Sequence, residues 1–151
     1  MPHYGSGTAS YRDLFCYRRT SAKKIEAHAA ERRPLEIDGV CLYVSELLPA
    51  ATWSHQARTY TYRLDNGGKP VLNSFGHTFL SPTDLLRLPS GSWNDVDKAI
   101  WQALNTEQLL VLGSEQLAQP LPADLTVDSW LPSLSGRPRL TLFDAIFFWA
   151  D

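Results

Sequence analysis

LEIDGVCLYVSE (residues 35–46) and, a little further on, RTYTYRLDNGGKPVLNSF (58–75) decide the fold class. The first holds two β-prone pieces around Asp38-Gly39, and its second piece, VCLYV, is continuously apolar, as an interior strand is. In the second, Tyr60, Tyr62 and Leu64 alternate with Thr59, Thr61 and Arg63, the period of a half-buried strand. DNGGKP (65–70) is the strongest turn signal in the chain. VLNSFGHTFL (71–80) continues as one or two short strands with Gly76 as a bend or bulge.

Outward from this β-rich centre the period changes. LFCYRR (14–19) is a short aromatic strand, and TSAKKIEAHAAERR (20–33) has a Ser/Thr start and helix formers up to Pro34. SGSWNDVDKAIWQAL (90–104) offers Ser92 or Asn94 as a cap, with Val96, Ile100 and Ala103 or Leu104 at helical spacing. TEQLLVLG (106–113) is a compact apolar strand. Pro49 opens a short helix in LLPAATWSHQA, and SPTDLLRL (81–88) is a second short helix with Ser81 as cap and Pro82 at its first position. The proline-rich stretch 114–140 wraps the surface with little regular structure, and LTLFDAIFFWAD (140–151) is a buried terminal helix or strand. These elements predict a single α+β domain over 13–151, with a central mixed or antiparallel sheet (strands near 14–18, 40–44, 58–64 and 108–112) and short flanking helices near 21–32 and 94–104. The Gly/Ser/Thr-rich residues 1–12 form a flexible arm ahead of it.

The 151 residues are 44% hydrophobic and 20% charged, ordinary globular usage that excludes disorder, collagen and coiled coil. Cys16 and Cys41 have no CxxC partner and no histidine pair nearby, so they are expected as buried free thiols in a reducing cytoplasm, with no metal. The chain has no apolar stretch of membrane-spanning length, so no membrane partner is expected. Its net charge of −2 argues against a whole-protein electrostatic grip on nucleic acid. That charge is uneven: residues 1–33 carry seven basic and three acidic side chains, so any polyanion contact would involve this quarter.

Three stretches, taken in order, carry a resemblance. CYRRTSAKKIEAH (16–28) runs from a basic strand end through Thr-Ser into a helix; DGVCLYVSELLPAATW (38–53) opens an apolar strand with glycine; NTEQLLVLG (105–113) sets a glutamate ahead of a buried strand. The succession resembles the ADP-ribosyltransferase-like superfamily, which includes the RES-domain toxins that consume NAD. That resemblance implies cleavage of the nicotinamide–ribose bond with NAD as substrate, and transfer to a macromolecular acceptor. It assigns Glu107 as the catalytic carboxylate beside an oxocarbenium-like ribose, with Glu115 and Glu46 as competitors. It assigns Arg18 to the pyrophosphate, the backbone of Arg19 and the ring of Tyr43, in preference to Tyr17, to the nicotinamide, and Ser45 as the small hydroxyl after the strand. Arg19 stands where many members have glycine.

Each of these residues also has an ordinary role available. Arg18 and Arg19 suit a solvated basic surface, Glu107 a strand-edge or helix-end carboxylate, and Tyr43 a core position; His55 and His77 suit acid–base groups or structural histidines. No Gly-x-Ser-x-Gly elbow, P-loop or GxGxxG occurs. The alternative function is a small non-catalytic binding protein, of the phage-inhibitor or immunity-protein kind, that meets a protein partner through an aromatic-rich surface. Trp53, Trp93 and Trp130 would be its anchors.

Overall fold

The run 35–45 is one unbroken strand, Leu35–Ser45, with residues 35, 37, 41, 43 and 45 buried on one face. Asp38-Gly39 does not interrupt it. The computed structural model describes residues 8–9, 11–76, 93–124, 140–147 and 149–150. In chain order its elements are β1 (Thr8–Ala9), β2 (Tyr11–Tyr17), α1 (Ala22–Ala30), β3 (Leu35–Ser45), β4 (Ala50–Leu64) and β5 (Pro70–Gly76). Then follow α2 (Asp95–Thr106), β6 (Leu110–Val111), α3 (Ser114–Leu117), α4 (Leu142–Ile146) and β7 (Trp149–Ala150). This is a mixed α+β fold: an antiparallel sheet in the order β2-β3-β4-β5, with β6 added parallel to β4, and several short helices. β1 pairs separately with β7.

Two compact units divide the chain: Met1–Leu14, Leu42–Trp53 and Ser81–Asp151 make one, Phe15–Cys41 and Ser54–Leu80 the other. In the first unit, Ala50 and Ala51 pair with Leu110 and Val111, and the backbone N–H of Leu112 donates to Ala51 O at 2.9 Å. Position 50 therefore begins a strand, not the helix that Pro49 predicts. Its continuously buried residues Ala50–Ser54 fit the interior of a sheet covered on both faces. Helix α2 starts at Asn94, whose side chain accepts from Asp97 N at 3.0 Å, while Asp97 Oδ2 accepts from Asn94 N at 3.1 Å. The other oxygen of Asp97 accepts the indole N–H of Trp53 at 2.8 Å. A buried carboxylate thus joins the helix start to a Trp that is 0% exposed. Asp144, buried within the apolar C-terminal run, follows the same logic: Oδ2 accepts from the N–H and hydroxyl of Thr141 at 2.8 and 2.9 Å, capping α4. Phe143, Ile146 and Phe147 complete that buried face.

In the second unit, Ser21 caps α1, and Ile25, His28 and Ala29 form its less exposed stripe. α1 ends in a left-handed residue, Arg32 at φ 52°, with Arg33 N donating to His28 O at 2.9 Å. The β4–β5 hairpin closes on Asp65, whose Oδ1 accepts from Gly67 N and Lys69 N at 2.9 and 2.8 Å, with Gly68 at φ 76°. The register slips between Thr61 and Tyr62, where β5 passes from Leu72 to Ser74. The bulge therefore falls at Asn73 and not at the predicted Gly76. Cys41 is buried as expected, whereas Cys16 is exposed; both are free thiols. The predicted helix at 81–88, His77 and Trp130 lie outside the described residues.

Candidate functional site

Four aromatic rings run in a line over one face of the second unit. Phe15 and Tyr17 of β2 stack at 5.3 Å between centroids, Tyr17 meets Tyr60 of β4 at 6.5 Å, and Tyr60 meets Phe75 of β5 at 6.3 Å. Tyr60 and Phe75 are direct cross-strand partners. β2 and β4 are separated by β3, and strands two places apart are about 10 Å apart. The Phe15 ring of β2 leans over β3 at Gly39, where β3 has no side chain.

Gly39 is required here. A Cβ at that position would lie 2.5 Å from Cys16 O and 2.7 Å from Phe15 Cζ, so Phe15 fills the place where β3 has no side chain. Arg58 of β4 then lies 4.6 Å over the Phe15 ring and donates from Nη2 to Cys41 Sγ at 3.1 Å. Two of the four rings stay open to solvent: Tyr17 is 51% and Phe75 55% exposed. Large aromatics left this open across several strands are unlike apolar residues scattered singly over a surface.

Burial raises the phenol pKa of both Tyr60 and Tyr62, and for each the neighbouring Tyr17 adds to the rise. Arg58 opposes the shift at Tyr60 by favouring its phenolate. The face therefore offers neutral phenols at physiological pH, able to donate and accept.

The residues assigned to NAD chemistry are distributed as follows. Tyr43 is 3% exposed, edge-on to Tyr11 at 5.5 Å in the first unit. Ser45 is buried; its hydroxyl donates to Ile146 O at 3.2 Å and accepts from Leu47 N and Leu48 N at 3.1 and 3.4 Å. Glu107, in the same unit, is the exposed residue at the end of α2, where its N–H donates to Ala103 O at 3.1 Å. The next residue, Gln108, is left-handed at φ 58°, and Leu109 N donates to Leu104 O. This places Glu107 in the helix-terminating turn. Glu115 is exposed in α3, and Glu46 pairs with Arg12 at 2.6 Å. Arg18 and Arg19 belong to the second unit and are exposed immediately after β2. His55 is exposed on β4.

The tryptophans fall differently from the anchors predicted for an interface. Trp53 is wholly buried, Trp93 lies 5.5 Å from it, and Trp101 lies 6.3 Å beyond Trp93. Phe15 and Phe75 carry no local signal beyond an aromatic residue on a short β-prone run, and the resemblance offers Tyr17 only as the second choice to Tyr43. Among the described residues, no group of three or more His, Cys, Asp or Glu is gathered to hold a metal ion, and no helix is long and apolar enough to cross a membrane. Comparison with known proteins finds no matching family model, curated protein or solved structure.

Proposed function

We propose that this chain is a non-catalytic binding protein that meets its partner through the aromatic face of Phe15, Tyr17, Tyr60 and Phe75. The observation that carries the reading is the continuity of four rings drawn from three strands, with Tyr17 and Phe75 more than half exposed. Large rigid rings lose little conformational entropy on contact, which makes them effective anchors. NAD cleavage is less well supported. Glu107 is available as a carboxylate, but the ring of Tyr43 is packed inside its unit and the Ser45 hydroxyl is engaged in three hydrogen bonds.

The test compares full-length wild type with Tyr17→Ser and Phe75→Ser in affinity capture from cells, alongside nicotinamide release from NAD. The reading expects a captured ligand that both variants lose while keeping the wild-type melting temperature, and no nicotinamide release. Capture unaffected by both substitutions, or nicotinamide release abolished by Glu107→Gln, would overturn it.

A further inference from the structure

We infer that the aromatic face is a platform for single-stranded nucleic acid, with bases laid on Tyr17, Tyr60 and Phe75 and phosphates met by nearby arginines. The inference rests on the binding-protein reading and names its partner class. Its first support is geometric. Three rings stand in succession on an antiparallel sheet, 6.5 and 6.3 Å apart, and a row of aromatic side chains on a sheet accepts unstacked bases with little regard to sequence. A duplex keeps its bases stacked inside and cannot use such a surface.

Charge supplies the second support. The whole chain is net negative, but its two units differ in sign. The unit that carries the rings, Phe15–Cys41 and Ser54–Leu80, has nine Lys or Arg against five Asp or Glu; the other has five against eleven. Arg18 and Arg19 directly follow Tyr17 and are exposed, and Arg58 lies on the aromatic face itself. Whole-chain charge argues against nucleic acid only when it is averaged over both units; a polyanion meets the local field.

A third point separates this ligand from an apolar protein surface. The phenols of Tyr17, Tyr60 and Tyr62 intersperse polar groups among the rings. A dry hydrophobic partner would leave such groups unsatisfied, whereas bases and sugars can hydrogen-bond to them.

Fluorescence anisotropy of the full chain with labelled oligothymidylate tests the inference. At physiological salt the expected dissociation constant is about 10⁻⁴ to 10⁻⁶ M, tightening as salt is lowered. Tyr17→Ser and Phe75→Ser should each weaken binding roughly 5- to 100-fold at unchanged melting temperature. The pair Arg18→Ser and Arg19→Ser should flatten the salt dependence. Absence of oligothymidylate binding, equal affinity for a duplex of the same length, or binding that survives both aromatic substitutions would overturn it. If the aromatic variants lose a captured protein while oligothymidylate fails to bind wild type, this inference falls and the binding-surface reading stands. If capture is unaffected as well, both fall.

Discussion

Phe15 occupies the space that a side chain at position 39 would need: a Cβ on Gly39 would lie 2.7 Å from its Cζ and 2.5 Å from the Cys16 carbonyl oxygen. Two effects compete in Gly39→Ala. Alanine lowers the entropy cost of ordering a strand residue, by up to about 1 kcal/mol. Against it, a backbone carbonyl cannot swing away as a side-chain end can, and overpacking of this kind costs about 1–3 kcal/mol. The clash should win. Gly39→Ala is expected to lower stability in chemical denaturation, and an unchanged or raised midpoint would show that β2 can shift without cost.

Trp53 and Asp97 give the second prediction. Asp97 closes the capping box of α2 and accepts the buried indole N–H at 2.8 Å. Asp97→Ala removes a hydrogen bond to a charged acceptor, strands the indole donor and uncaps the helix, at a combined cost of about 2–4 kcal/mol. Asp97→Asn keeps an acceptor for Trp53 and loses the bond from Asn94 N, for about 1 kcal/mol. Equal losses in the two variants would assign the whole effect to the cap.

How much of this was legible in sequence depends on the range of the contacts. The caps at Ser21 and Asn94 and the turn at DNGGKP are local chemistry, and each lies where the sequence puts it. Ala50–Ser54 was misread because a run buried on both faces has neither helical nor strand period, and Pro49 ahead of it suits a helix start equally well. The break expected at Asp38-Gly39 is absent because Phe15, more than twenty residues earlier, covers the glycine. The same long-range pairing assembles Tyr17, Tyr60 and Phe75, which are dispersed in sequence and share no motif spacing. Tyr43 was assigned to a ligand by resemblance, yet its apolar neighbours in VCLYV already matched a core position, and the structure puts it there.

The third prediction concerns alkaline pH. Burial, reinforced by Tyr17, raises the phenol pKa of Tyr60 and Tyr62 above the ordinary 10.0. The folded chain therefore holds these protons more tightly than the unfolded chain. The associated stabilisation is complete below pH 10.0 and is lost as pH rises through the folded values. Near-ultraviolet absorbance should show two phenols titrating late, identified by Tyr60→Phe and Tyr62→Phe. Tyr17→Phe should bring both down, since it removes a neighbouring phenolate. Titration of all tyrosines together at the unfolded value would contradict this account of the face.

The fourth prediction isolates a single buried hydroxyl. Thr52 lies in β4 between Ala51 and Trp53, is 0% exposed, and its Oγ1 has no hydrogen-bond partner among the described residues. A hydroxyl taken out of water without a partner costs about 1–3 kcal/mol on mutational scales. Valine has nearly the same shape and β-branching, so Thr52→Val should leave the packing against neighbouring strands intact while removing that cost. The expected outcome is a rise in stability of about 1 kcal/mol, with the denaturant slope unchanged because the buried surface is the same. Thr52→Ser supplies the control: it keeps the hydroxyl and deletes a methyl group, which should destabilise through the cavity alone. If Thr52→Val instead proves less stable than wild type, the hydroxyl is engaged in the native state, and this interior position has a polar role that hydrophobic packing does not explain.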